Sequence, residues 1–278
     1  MSAGTLYVVA TPLGNLGDVT ARAADTLRQV DMVAAEDTRR TRKLLSHLDA
    51  HPELVSFHAH SDPARLRALV GDLAAGRSVA LVTDAGTPVV SDPGVDLVTA
   101  AREAGVTVVT VPGPSAVAAA LSIAGFPADR YLFLGFPPRK GAARSALLDE
   151  AAASAWTVVC FEAPARVVRL LVDLAARAGG DRRAAVAREL TKAHEELRAG
   201  TLADLAAYYE AHAPRGEVTV VLAGRGAPPP PAAADPDVVR ERAHALLAGG
   251  ASRRDVANRL AQEFPVSRNE AYRLVRDL

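Results

Sequence analysis

Short apolar runs recur along this chain, separated by segments in which apolar residues return every three or four positions. In the first half the runs are TLYVVA (5–10), DMVAAE (31–36), LVSFHAH (54–60), SVALVTD (78–84) and VTVVTV (106–111). Helical spacing fills 18–29, 38–48, 63–75 and 93–104 between them. Near-continuous apolar runs of this length predict strands buried on both faces, and their alternation with helices predicts an α/β layer with a parallel sheet. Along LVSFHAH the side chains of His58 and His60 fall on one strand two positions apart, with packing and hydrogen bonding their expected role.

The rhythm loosens after PGPSA (112–116), which is expected to open a helix with Pro114 in its first turn, where a missing N–H costs nothing. RYLFLGF (130–136), WTVVCFE (156–162), RAAVAREL (183–190) and EVTVVLAG (217–224) read as four strands, with helices near 143–153 and 165–178. Their wider spacing predicts a second α/β domain with some antiparallel pairing. The expected organisation is thus an N-terminal α/β domain over 1–113 and a second over 114–225. GAPPPPAAADP (226–236) follows as a stiff, extended linker, and 237–278 as a small helical tail. In the tail Asp235 and Pro236 suit a cap and first turn, and Ser252–Asp255 and Ser267–Glu270 are capping boxes. A tight turn at Phe264-Pro265 between two of these helices predicts a helix-turn-helix shape. From Asp237 onward the tail holds 8 arginines and 6 acids, a net of +2, so a docking or dimer-stabilising bundle fits it as well as a nucleic-acid binder does.

Composition narrows the function. At 278 residues and 49% hydrophobic content the chain can bury a sizeable core, while 4% aromatic content argues against base recognition on rows of stacked rings. Basic and acidic residues balance at 32 each, so no global field announces nucleic acid. The single cysteine, Cys160, sits in an apolar strand and is expected to be inert packing. Neither a signal peptide nor an apolar run of bilayer length is apparent, and no ligand spacing for zinc or iron is found. The expectation is a soluble, cytoplasmic protein without a metal.

Chemistry collects where the predicted strands end. In an open α/β sheet ligands bind at the carboxyl edges of strands. There LVTDAGTPVVSDPG (81–94) offers Asp84 as a hydrogen-bond acceptor, Gly86 for close backbone approach and Thr87 as a hydroxyl. No GxGxxG or GxxxxGK[ST] lies nearby, and a loop that leads with a carboxylate repels phosphate. A ligand with amine, ribose or positive character suits it, although an ordinary capped turn would use the same residues. VATPLGN (9–15), with Pro12 and Gly14, VPGPSA (111–116), with Ser115, and CFEAPAR (160–166) close three other strands in the same way.

These segments occur in a familiar order. Together with AAEDTRRTRKLL, SFHAHSD, GFPPRKGAAR, RELTKAHEEL and GEVTVVLAG, they resemble the small-subunit ribosomal RNA branch of the tetrapyrrole methylase superfamily over about residues 5–224. The resemblance implies the two-domain α/β fold of that superfamily, the class III methyltransferase type, here with a small C-terminal helical tail. It implies S-adenosyl-L-methionine as cofactor, held between the domains of a homodimer. The reaction it implies is 2′-O-methylation of a cytidine ribose in 16S rRNA within the 30S subunit. Carried over by position, the cofactor would touch Pro12, Asp84, Ala85, Gly86, Thr87, Ser115 and Ala116, with Phe161 and Ala187 completing the site. The chain departs from the branch at Ala165, where a histidine is usual, and at Ala59 and Ser61, where glutamate and asparagine are usual.

A ribose hydroxyl must lose its proton during attack, so a base or a cation that favours the alkoxide is expected. Glu36 and Glu189 are the candidate bases and Lys140 the candidate alkoxide stabiliser, although Glu189 is also spaced to pair with Lys192. Asp37 is expected to cap a helix. Arg39, Arg42 and Lys43 share a helix face, and Arg139, Lys140 and Arg144 form a basic loop; both suit an RNA backbone. A tetrapyrrole methyltransferase and a non-catalytic RNA-binding assembly protein are the competing functions.

Overall fold

A computed structural model describes residues 3–226, 236–264, 266, 268–276 and 278. The chain divides into two compact units, Met1–Ala227 and Pro228–Leu278.

Within the first unit, β1 (Thr5–Val9), β2 (Met32–Ala35), β3 (Glu53–Ser56), β4 (Val79–Val82) and β5 (Thr107–Val111) form a sheet in the order β3-β2-β4-β1-β5. Every pairing is parallel, with Leu54, Val33, Ala80, Tyr7 and Val109 side by side across it. β2 and β4 are buried at all four positions, as their uninterrupted apolar sequences require. α1 (Ala21–Gln29) and α2 (Thr38–His47) cover one face through Ala23, Leu27, Leu44 and Leu45. On the other face lie α3 (Pro63–Ala74) and α4 (Val95–Glu103), with Leu69, Leu73, Leu97 and Ala101. Helices that follow β1 and β2 therefore leave to one side and the helix that follows β4 to the other, which opens a crevice at the carboxyl ends of these strands.

α5 (Ala116–Ala124) follows β5 but packs on a second sheet. That sheet comprises β6 (Tyr131–Phe133), β7 (Thr157–Glu162), β8 (Arg183–Arg188), β9 (Glu196–Thr201) and β10 (Val218–Leu222), in the order β6-β7-β10-β8-β9. β6 and β7 are parallel and the remaining pairs antiparallel. One face carries α6 (Ala142–Ala153), α7 (Val167–Ala178) and α8 (Leu202–Ala211). The other packs Val159, Ala185, Ala187 and Val221 against Val117, Ala120 and Leu121 of α5. Leu13 and Ala85 from the first sheet's loops join this cluster, so an apolar seam links the sheets.

Four sequence expectations differ. The strand predicted over 54–60 stops at Ser56, and His58–Ser61 form a turn in which Ser61 Oγ accepts from the His58 N–H at 2.8 Å. Both histidines are exposed. Pro114 precedes the helix: Ser115 is the N-cap and Ala116 the first residue. Helix α1 starts at Ala21, with Thr20 capping it, after a separate short turn at Leu16–Asp18. Finally, β9 and α8 were not expected, and the second sheet has five strands rather than four.

The second unit holds α9 (Pro236–Ala248), α10 (Arg253–Glu263) and α11 (Arg268–Arg276) around Val239, Ala243, Val256, Leu260, Ala271 and Val275. Ser252 caps α10 by accepting from the Asp255 N–H, as its capping box predicts. Arg242 ties α9 to α10 through Glu263 at 2.7 Å. Asp235, Pro265, Ser267 and the linker up to Asp235, apart from Gly226, lie outside the described residues. No described helix is long and apolar enough to cross a membrane.

Candidate active site

The loops that leave β1 and β4 are stapled together. Thr11 and Gly86 exchange backbone hydrogen bonds of 2.8 and 3.0 Å as an isolated antiparallel bridge. Gly86 has φ +87°, and an added Cβ would stand 3.3 Å from Leu13, so this turn needs glycine. The Thr87 hydroxyl donates to the Pro114 carbonyl at 3.2 Å, which ties the same loop to the turn after β5. Thr87 therefore spends its hydroxyl on the loop itself.

These loops and the edge of the second sheet enclose a hollow of about 340 Å3. Of the residues read from sequence as cofactor contacts, Asp84, Ala85, Gly86, Thr87, Ser115, Ala116 and Phe161 all line it. Ser115 is the N-cap of α5 yet makes no side-chain cap bond, so its hydroxyl and the first amides of the helix remain for a ligand. Phe161 packs edge-on to Phe133 at 5.0 Å and against the exposed ring of Phe136 at 5.4 Å. Phe136 also lines the hollow, giving it an aromatic wall. Pro12 instead lines a neighbouring hollow of about 330 Å3. Ala187 is fully buried, paired in register with Thr219, which lines the first hollow; Ala187 backs the wall and does not face the cavity.

Carboxylates dominate the first hollow. Glu36, Asp84, Asp92, Glu162 and Glu217 line it, with Arg40 the cation among its lining residues. Glu36 accepts from the Thr83 hydroxyl at 2.8 Å. Asp84 accepts from the Asp37 N–H at 3.1 Å and meets Arg40 at 3.4 Å. Burial, followed by the nearby Glu36 charge, raises the Asp84 pKa. The same two causes push Asp92 up to about 6, against a hydrogen bond from Thr83 that lowers it. Asp92 stands on a strained segment: Val89 and Ser91 have φ of +75° and +64°, and for a β-branched residue such as Val89 that conformation is costly. Such strain persists only where surrounding structure enforces it, and here it turns Asp92 back into the hollow.

Glu162 differs from the others. Its side chain is fully buried, 2.5 Å from Arg166 and 3.8 Å from Arg144, which in turn grips Asp173 at 2.9 Å. Arg144 is thereby a buried ion-pair partner on α6, not a member of an exposed basic loop. Its guanidinium is drawn inward by two acids on β7 and α7.

The remaining candidates are dispersed. Glu189, at φ +50°, accepts from Lys192 Nζ at 2.9 Å and from the Glu217 N–H at 3.0 Å, and these contacts, Lys192 first, hold its carboxyl below the usual range. Gly216 makes room for it: a Cβ there would lie 2.0 Å from Glu189 Oε1. Glu189 serves this latch and lines neither hollow. Lys140 is exposed in the turn before α6 and also lines neither. On α2, Asp37 caps the helix and binds Arg39 at 2.8 Å; Arg40 and Lys43, not Arg39 and Arg42, reach the hollows. Cys160 is buried, and burial pushes its thiol up to about 12, which suits inert packing. Among the described residues no group of three or more His, Cys, Asp or Glu is arranged to hold a metal ion.

A family profile described as Tetrapyrrole (Corrin/Porphyrin) Methylases matches residues 5–206. The chain belongs to the tetrapyrrole methylase family. Among curated relatives, the ribosomal RNA small subunit methyltransferase I of Synechocystis sp. is 42% identical over 275 residues, covering 99% of this chain and 98% of that protein. The protein of the same name from Micromonospora olivasterospora is 45% identical over 276 residues, covering 98% and 87%. In fold, the uroporphyrin-III-C-methyltransferase of Thermus thermophilus superposes with a TM-score of 0.58 at 24% identity, covering 78% of this chain and 94% of that one. Family membership makes this protein a methyltransferase.

Proposed function

We propose that this protein uses S-adenosyl-L-methionine to methylate the 2′-hydroxyl of a cytidine in 16S rRNA, acting in the cytoplasm as a homodimer on the 30S subunit. The observation that carries this reading is the charge and shape of the first hollow: four acids beside Arg40, apart from the ion-paired Glu162, against an aromatic wall and an unbonded helix cap. That set fits a cationic nucleoside. The near-full-length relatives named for small-subunit rRNA support the choice of acceptor.

When bound, the cofactor supplies a methyl group activated on a positively charged sulfur. Asp84 and the free Ser115 hydroxyl are the proposed anchors for ribose and amine, with Ala85, Gly86 and Ala116 giving close backbone approach. Phe161 and Phe136 flank the base, and Ala187 keeps the wall thin behind Thr219. The carboxylates attract the positive charge before transfer and hold a neutral product less, which favours exchange. For the proton of the acceptor hydroxyl, Glu36 and Asp92 are the proposed acceptors, since both line the hollow and share Thr83 between them. A carboxyl titrating near 6 is well matched to neutral pH. Lys140 is assigned to the RNA backbone instead of the reacting oxygen.

The test is incubation with methyl-labelled cofactor and either 30S subunits, free 16S rRNA or a uroporphyrinogen-type tetrapyrrole. Label should appear in rRNA as alkali-resistant 2′-O-methylcytidine. Label on a nucleobase, or on the tetrapyrrole alone, would overturn the assignment.

A further inference from the structure

A second hollow adjoins the first. The two share Leu13, Arg40, Asp84, Ala85 and Glu217, so they are divided by little more than the Arg40–Asp84 ion pair and two apolar side chains. Their charges differ in sign. The first adds three further acids, Glu36, Asp92 and Glu162, to the shared wall; the second adds two cations, Lys43 and Lys192.

The second hollow is built to keep those cations in place. Arg40 and Lys43 are three positions apart on α2 and so project from one face of it. The Lys192 stem lies across Gly14, where an added Cβ would meet its Cγ at 2.3 Å. Lys192 Nζ is held between Glu189 at 2.9 Å and Glu217 at 3.2 Å, and these partners keep it protonated. Lys43 is exposed and makes no ion pair with the described residues, so its charge is available. The strand-end loop carrying Pro12 and the buried Thr11 and Thr41 complete a pocket of about 330 Å3.

We infer that this second hollow is the subsite for the acceptor nucleotide, taking an anionic ribose-phosphate with Lys43 as its principal phosphate contact and Arg40 and Lys192 beside it. The inference rests on the RNA-methylation reading and deepens it. A cationic donor in the acidic hollow and an anionic acceptor beside Lys43 would meet at the shared wall, so the charge difference between the hollows favours that order of the two ligands. Alignment across that wall is what an in-line transfer requires of the protein.

The experiment uses full-length protein and three variants: Lys43→Glu, Lys43→Arg, and Arg67→Glu as a charge control on the exposed side of α3. Binding of a labelled 16S rRNA fragment is read by anisotropy with S-adenosylhomocysteine present, so the result does not depend on turnover. K43E should weaken RNA binding about tenfold and reduce the slope of log affinity against log salt by about one. K43R should restore both, R67E should change neither, and calorimetric cofactor affinity should match wild type throughout. Cytidine 3′-monophosphate should compete with RNA at wild-type protein and lose that effect in K43E. Wild-type RNA affinity and slope in K43E, or an equal loss in R67E, would overturn the subsite. So would displacement of RNA by inorganic phosphate as effective as by the nucleotide, which marks a bare anion pocket. Wild-type protein that binds the fragment through Lys43 but methylates no rRNA would leave the subsite standing and remove the reaction assigned above.

Discussion

Asp92 offers a stability test whose sign follows from the site. Burial and the Glu36 charge lift its pKa from 3.8 to about 6, so the native fold disfavours the ionised carboxylate. Because the native value lies above the unfolded one, the contribution of Asp92 to stability is complete below about pH 4 and is lost as pH rises through 6. At full burial a displacement of that size corresponds to about 3 kcal/mol. Asp92 is only half-buried, and solvent screening reduces this to roughly 1–1.5 kcal/mol. Asp92→Asn keeps the shape of the protonated acid and removes the ionisation. At pH 8 the variant should be more stable than wild type by that amount, which for a unit of this size raises Tm by about 2–6 °C. At pH 4 the difference should vanish. Trp156 is the single tryptophan and lies in the first unit, so its fluorescence on heating reports that unit alone. A Tm difference that stays constant from pH 4 to 8, or shrinks as pH rises, would refute the account of Asp92 as a carboxylate forced toward neutrality. The same variant should lose methylation activity, which is the usual relation between a strained functional group and stability.

Other expected outcomes follow from single contacts. Asp84→Ala should weaken cofactor binding at least tenfold by calorimetry with circular dichroism unchanged; an unaltered Kd would remove Asp84 from the site. Arg144→Ala removes the 2.9 Å partner of Asp173 and leaves the buried Glu162 to Arg166 alone, and should cost about 2–3 kcal/mol in denaturant unfolding. Gly14→Val drives a side chain into the Lys192 stem and should destabilise by about 1–3 kcal/mol, with thermal unfolding as the measure.

Much of this architecture is legible in the sequence because of where the strands lie. β2, β4, β8 and β10 sit in sheet interiors and bury nearly every residue, so they announce themselves as contiguous apolar runs. β9 escaped because it is an edge strand: ELRAGT carries Arg198 and Glu196, the latter paired with both Arg198 and Arg188, and little apolar pattern survives. The strand-end loops could be read for the same reason, since glycine and proline cluster where a chain must turn at a sheet edge. Asp92 could not, although SDPG follows TDAGTP after only two residues, Val89 and Val90. Its position depends on a backbone that passes through left-handed conformations at Val89 and Ser91, which those residue types do not advertise. Arg40 and Phe136 were missed because spacing tells which residues share a face but not which face meets a cavity.

Glu189 shows what a charged motif can mean when it is not chemistry. Its carboxylate, Lys192, the Glu217 amide, and the space left by Gly216 and Gly14 interlock a strand-end loop of the first sheet with two loops of the second. Each partner is polar, and each glycine is needed because a side chain from elsewhere occupies its Cβ position. Both hydrogen bonds to Glu189 reach the same oxygen, Oε1, from donors in the second sheet's loops, so the latch fixes where the Lys192 stem lies, and that stem meets the first sheet at Gly14 beside the apolar seam through Leu13 and Ala85. Leu13, Ala85 and Glu217 line both hollows at this junction. An acid that looks like a base in the sequence acts in the structure as the anchor that places Lys192 against the first sheet.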